Sequence, residues 1–241
     1  MRVTLIGAGR AGTSFARALT SRGHRVSLVH HDATPSLVGV DLVILTVPDD
    51  ALAAVAAALP VSRSRVVAHV AGSRTLEVLA PHPRRASLHP LAALPSAEVG
   101  AERLIGATYA VAGDPLVEDL VASLDGRARH VPDSVRTVYH ATAAVAANHV
   151  VALLGHVERL AEAAGLALED VLPLVHQAVE DVARRGPASA LTGPASRGDV
   201  ATIDAHLAAI PPGERPTYVA LAREALDLAE RRDRTAASWS A

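Results

Sequence analysis
The sequence predicts an α/β protein, with a doubly wound parallel sheet over residues 1–132 and an all-α domain over residues 133–234. Three observations predict it. Short apolar runs alternate with helical patterns through the first half, as in a parallel sheet wrapped by helices. A glycine-spaced turn joins the first run to the first helical pattern. From Ser134 onward the periodicity is helical throughout.

Val3–Ile6 reads as a buried strand, and the helical pattern after it runs to Leu19. Between them Gly7, Gly9 and Gly12 give G-x-G-x-x-G, which at a strand-to-helix turn is the dinucleotide fingerprint of a Rossmann sheet. Gly7 permits the tight turn, Gly9 lets a pyrophosphate approach the backbone, and Gly12 lets helix and strand pack closely. The helix then presents its first amides, at Arg10 and Ala11, to the phosphates.

The second strand is Arg25–Val29, and the residues after it select the cofactor. An acid there suits the ribose 2′-hydroxyl of NAD; a cation suits the 2′-phosphate of NADP. His30 and His31 come first, Asp32 follows, and Arg10 lies within reach in the glycine loop, so the expectation is NADP(H), with NAD the alternative. "DLVILTVPDDAL" reads as a third buried strand ending at Val47-Pro48, on the edge where cofactors lie, followed by a helix capped by Asp49 or Asp50. "RVVAHVAGS" ends a strand at His69 and starts a helix near Gly72-Ser73, and "ASLHPLAAL" places His89-Pro90 after a further strand. "ATYAVAG" and "ARHVP" complete the sheet, with a helix over Leu116–Leu124 between them. His69 and His89 thus mark the ligand edge, with His69 and Ser73 on the substrate side; the alternative is that each histidine bonds a loop carbonyl.

Ser134–Ala164 reads as one long helix, apolar on all sides and therefore expected to be buried and to meet a second subunit. His140, Ala144 and Asn148 share one stripe, with Tyr139 and His149 beside it; the stripe either faces a cleft or forms an internal hydrogen-bond network. Further helices are expected over Leu168–Arg185, Val200–Ile210 and Pro216–Arg231, with Asp199 or Thr202 capping the second. "LTGPASRGD" links two of them as a stiff loop that presents Thr192, Ser196 and Arg197. The tail, residues 235–241 with Trp239, reads as disordered.

Composition narrows the function. A net charge of -2 and five aromatic residues disfavour nucleic acid, whose recognition needs a basic field or stacking platforms. There is no cysteine, and the twelve histidines show no paired ligand spacing, so no metal site is expected. A strand starting at residue 2 leaves no room for a signal peptide, and no uninterrupted apolar run reaches membrane length, so the expectation is a cytoplasmic protein without a membrane partner. There is no lysine at all, so every basic side chain is arginine or histidine and no lysine can act as general acid. Reducing a 2-oxo acid needs a proton donor, here His140 or His89 with His69 in reserve. It also needs an orienting group, Asn148, and a carboxylate grip, Arg197.

"GAGRAGTSFARAL", "TVPDDAL", "HVAGS", "SLHPL", "YHATAAVAANHVVAL" and "LTGPASRGDVATIDAHL", in this order, resemble bacterial two-domain proteins: Rossmann-like with a helical C-terminal domain of unknown function. These belong to the 6-phosphogluconate dehydrogenase-like superfamily, with ketopantoate reductase, pyrroline-5-carboxylate reductase, prephenate dehydrogenase and the 3-hydroxyacid dehydrogenases. The resemblance implies an active site in the cleft between the domains and a homodimer formed through the helical one. Some of these enzymes use a lysine four residues before an asparagine; Asn148 fits the asparagine, but the lysine position is Ala144, and His140 lies one turn back. The expected function is an NADP(H)-dependent oxidoreductase acting on a small carboxylic acid, reducing a 2-oxo acid such as ketopantoate. The alternatives are a cyclic-imine reductase of the pyrroline-5-carboxylate type and an NAD(P)-binding sensor or scaffold without turnover.

Overall fold
The structure, a computed structural model, describes residues 1–30, 32–33 and 35–238, with side chains described through residue 234. His31 lies outside the described residues, as does Trp239. Residues 1–147 form one compact unit and residues from 148 onward a second.

In the first unit the elements alternate as β1 (Arg2–Ile6), α1 (Arg10–Ser21), β2 (Arg25–Val29), β3 (Leu42–Leu45), α2 (Leu52–Ala58), β4 (Val66–His69) and β5 (Arg85–Pro90). Then follow α3 (Ala97–Leu104), β6 (Thr108–Gly113), α4 (Leu116–Ser123), β7 (Arg127–His130) and α5 (Arg136–Ala144). The sheet order is β2-β1-β3-β4-β5-β6-β7. The first five strands are parallel, so the chain leaves β1, β3, β4 and β5 at one common edge. Residues alternate across the sheet: Leu5, Ile44, Ala68 and Leu88 join the core beneath α1, α3 and α4. Ile6, Val43, Leu45 and Val67 join the core on the α2 side. Both faces are buried, which is why these strands read as unbroken apolar runs.

Four expectations need correction. First, β6 pairs with β5 antiparallel, Ser87 opposite Ala112 and His89 opposite Ala110, and β7 pairs parallel with β6. Alternating strand and helix patterns do not encode strand direction, so nothing in the sequence pattern marks this reversal. Second, α2 starts at Leu52 with no side-chain cap; Asp49 instead accepts from Ser73 Oγ at 3.0 Å and pairs with Arg74. Third, only a single 3-10 turn, Leu76–Leu79, follows Ser73.

The fourth concerns the long helix. It has three parts: α5, a π-helical turn over Val145–His149, and α6 (Val150–Ala163). It is not buried. Of α5 and α6 only Arg136, His156 and Ala161 are enclosed, while Val138 is 69% and Val151 70% exposed. By length and composition Asp133–Ala163 is also sufficient to cross a membrane, which a search for uninterrupted apolar runs misses because histidine, threonine and asparagine punctuate it. An all-round apolar pattern shows that a helix needs cover, not that its own chain supplies it.

The second unit continues with α7 (Leu168–Arg185), the four-residue α8 (Pro187–Ala190), α9 (Val200–Ala209) and α10 (Arg215–Ser238). The expected cap of α9 is present: Asp199 accepts from the Thr202 amide at 3.1 Å and its hydroxyl at 2.7 Å. The backbone of residues 235–238, read from sequence as part of a disordered tail, continues α10.

Candidate functional site
The turn after β1 is built by two glycines that the fold itself requires. Gly7 has φ +113°, and a β-carbon there would lie 2.7 Å from the Thr46 carbonyl oxygen. A β-carbon on Gly12 would collide with the Gly7 carbonyl oxygen. Thr46 Oγ1 donates to that oxygen at 2.7 Å and ties the turn to the end of β3. Gly9 differs. Its φ is an ordinary -75°, and a β-carbon there would meet nothing within 4 Å. Among the described residues nothing needs a glycine at this position, whereas an approaching pyrophosphate does. Gly9 is the N-cap of α1, without a side-chain cap or an acid in the first turn, so the first amides remain for an anion.

These residues open onto a groove of about 550 Å³, lined by Gly9, Arg10 and Ala11 from one side and Thr46, Val47 and Pro48 from another, and closed by Ala93, Leu94 and Pro95. All of the loop and β3-end positions expected from sequence, apart from Gly7 and Gly12 inside the turn, line this groove. Thr46 and residues 93–95 were not expected. The groove fits a dinucleotide: helix amides for phosphate, a backbone left open at Gly9 and an apolar β3 end at Val47-Pro48. At the end of β2, His30 Nδ1 lies 2.7 Å from Asp32 Oδ1, so this acid is engaged by a histidine.

Along the same edge β4, β5 and α5 bring three histidines, His69, His89 and His140, into one neighbourhood. His69 is fully buried; the Ala71 amide donates to its Nδ1 at 3.2 Å, which places the proton of the neutral ring on Nε2. That Nε2 completes no hydrogen bond among the described residues, although the Thr75 backbone lies close enough to favour its protonation. Burial, then the Arg136 charge, pushes His69 down to about 4. His89, in β5, is half-buried, with Nδ1 2.6 Å from Tyr139 Oη and its ring edge-on to Tyr139 and to His140. Burial, then His140 and Arg136, pushes it down to about 4, while Asp49 opposes. At Gly72 a β-carbon would lie 3.0 Å from His89 Nε2 and run into His140 Nδ1, so both nitrogens face the space this glycine leaves free.

Arg136 is the residue that sequence reading missed. It is 1% exposed; Nη2 donates to the Ala71 carbonyl at 3.1 Å, while Nε and Nη1 have no partner among the described residues. Its charge acts on His69, His89 and Tyr139 together. Arg136 and His140 stand at i and i+4 on α5, a spacing visible in the sequence. Ser87, in register with His69, adds another buried hydroxyl without a partner among the described residues. His69 and His89 are desolvated, neutral imidazoles beside the buried Arg136 charge, with the exposed His140 next to them; the cluster can move protons and stabilise developing negative charge.

The second unit holds the other expected residues. Asn148 is exposed, in the π-helical turn. The Thr192–Asp199 loop is stiff as read: Gly193 and Gly198 have φ of 82° and 65°, and Ser196 Oγ donates to the Gly193 carbonyl. Arg232 clamps the loop through the Ser196 carbonyl at 3.0 Å. Thr192 and Arg197 are exposed; the Arg197 amide donates to the Pro194 carbonyl at 3.1 Å, while its guanidinium makes no hydrogen bond or ion pair among the described residues.

Residues 105–225 match the family described as Domain of unknown function (DUF2520). The chain belongs to that family. No curated protein matches the chain. Among solved structures it is similar to protein TM1727 from Thermotoga maritima, at 20% identity and TM-score 0.77, over 96% of this chain and 99% of that one. It is similar to a reductive aminase from Aspergillus terreus in complex with NADPH and ethyl-5-oxohexanoate, at 15% identity and TM-score 0.67, over 94% and 93% of the two chains. It is also similar to 1-pyrroline-5-carboxylate reductase from Streptococcus pyogenes, at 17% identity and TM-score 0.64, over 96% and 98%. At these identities the likeness establishes the shared fold: a Rossmann-type sheet followed by helices.

Proposed function
We propose that this chain is an NADP(H)-dependent oxidoreductase that reduces a small carboxylic acid bearing a carbonyl, a 2-oxo acid such as ketopantoate. The observation that carries the reading is Gly9: a glycine without internal need, at the mouth of a groove lined by free helix amides. The fold is shared with solved reductases in complex with NADPH, which supports the cofactor assignment. Arg10, exposed in the glycine loop, and His30 and His31 are assigned to the 2′-phosphate, with NAD the alternative ligand. A bound nicotinamide would supply hydride. The chain would supply the rest: His89 or His140, both beside Gly72, delivers the proton with His69 in reserve, and His69 and Ser73 bind the substrate. Asn148 orients the substrate, Arg197 holds its carboxylate, and Thr192 and Ser196 flank it.

A second reading has its own observation. His89 pushed down to about 4 provides no imidazolium at neutral pH, and a protonated cyclic imine needs none. The fold shared with 1-pyrroline-5-carboxylate reductase fits this reading as well. Following NADPH absorbance with a panel of 2-oxo acids and cyclic imines separates the two. Turnover of a 2-oxo acid is expected; turnover of imines alone gives the second reading, and NADPH binding without oxidation by any member gives a sensor. The exposed apolar face of the 133–163 helix supports a homodimer, in which a second copy covers it.

A further inference from the structure
Tyr139 Oη lies 2.6 Å from His89 Nδ1, with the two rings edge to face. Imidazole nitrogen is the better acceptor and phenol the better donor, so Oη–H donates to Nδ1, and the neutral ring keeps its own proton on Nε2. That Nε2 faces the free space above Gly72. Burial favours the neutral form of both groups, pushing His89 down to about 4 and Tyr139 up to about 12. The proton that leaves Nε2 must therefore be replaced, and the hydrogen-bonded phenol is the group in position to replace it. Arg136, buried and only partly hydrogen-bonded, places a positive charge where tyrosinate would form.

We propose that Tyr139 is the proton reservoir of the reductive step and feeds the substrate through His89, with Arg136 as the positioning charge behind it. The inference rests on the oxidoreductase reading above. As hydride reaches the carbonyl carbon, the C=O π pair moves to oxygen, and the oxygen takes the Nε2 proton. The Nε2–H bond breaks and the alcohol O–H forms. Nδ1 takes the Tyr139 proton, so the ring ends as the other neutral tautomer and tyrosinate remains beside Arg136. A proton from water restores the phenol, and a ring turnover or solvent exchange restores the tautomer. Such a relay serves a heteroatom that becomes anionic as hydride arrives. A carbonyl oxygen does so, whereas a protonated imine nitrogen already carries its proton, so the relay assigns the carbonyl class of substrate.

Side-chain ¹⁵N NMR of the full-length protein without ligand reads the tautomer directly. The expected result is His89 as the Nε2–H form at neutral pH, released to a mixture in Tyr139→Phe. With a carbonyl substrate that the wild type turns over, Tyr139→Phe should slow hydride transfer about 10- to 100-fold with NADPH affinity unchanged. The solvent-deuterium proton inventory should be curved in the wild type and linear in the variant. The wild-type tautomer needs no variant, so it decides the matter even if Tyr139→Phe fails to fold. His89 in the Nδ1–H form, or Tyr139→Phe at the wild-type rate, overturns the relay alone. A wild type that binds NADPH and oxidises it with neither carbonyls nor imines overturns the oxidoreductase reading itself.

Discussion

Gly9 and Gly12 belong to one fingerprint but answer to different constraints. Gly12 is required by the Gly7 carbonyl packed against it, and Gly9 by nothing among the described residues. Both were legible in the sequence because the fingerprint carries its own geometry, as were Val47 and Pro48 at the β3 end. Arg136, Tyr139 and Gly72 were not legible as one cluster. Their meeting depends on the start of α5 docking against the loop after β4, a long-range contact without a local signature. Arg197 shows the opposite case: the stiffness of its loop was readable from Gly193, Pro194 and Gly198, while its task is not visible in its contacts. If it grips the substrate carboxylate, Arg197→Ala raises KM and lowers kcat/KM by roughly two powers of ten, the scale of one charged hydrogen-bonded pair. Thermal stability should stay unchanged, because the clamp from Arg232 uses the Ser196 carbonyl. Early melting with full activity in the folded fraction would make Arg197 structural.

Elements carry their own tests. In the second unit Glu214 accepts from Arg159 Nε at 2.7 Å and lies 2.6 Å from Nδ1 of the buried His156, tying α6 to the start of α10. The hydrogen bonds from Arg159, then from His156, hold the Glu214 carboxyl down at about 2. A folded-state value below the unfolded one contributes stability that is fully present above the ordinary carboxylate range and is lost as pH falls toward about 2. Glu214→Gln should therefore lower the urea midpoint at near-neutral pH, and the gap to wild type should narrow in acid below the ordinary carboxylate range. An equal gap at both pH values would deny the pair its role. Helix positions here were readable from their period. The antiparallel turn of β6 was not, because alternating strand and helix patterns do not encode strand direction.

At the scale of the whole molecule, the exposed apolar helix is the feature that one chain leaves unresolved. Val138, Val145 and Val151 are 69%, 54% and 70% exposed, and fully burying a valine contributes about 1.5–3 kcal/mol. The account expects a homodimer at micromolar concentration by light scattering, and a shift toward monomer in Val151→Glu. A monomeric wild type would leave the helix needing another partner. The claim on which the rest depends is that the groove over α1 is a dinucleotide site. Isothermal titration of NADPH and NADH into wild type and Gly9→Val tests it most directly. The β-carbon at Gly9 points into open space, so the variant should keep the wild-type melting temperature and circular dichroism. The expected result is NADPH binding by wild type, tighter than NADH, and no measurable binding of either by Gly9→Val. Unchanged NADPH affinity in a folded Gly9→Val, or no binding by wild type, would contradict the account.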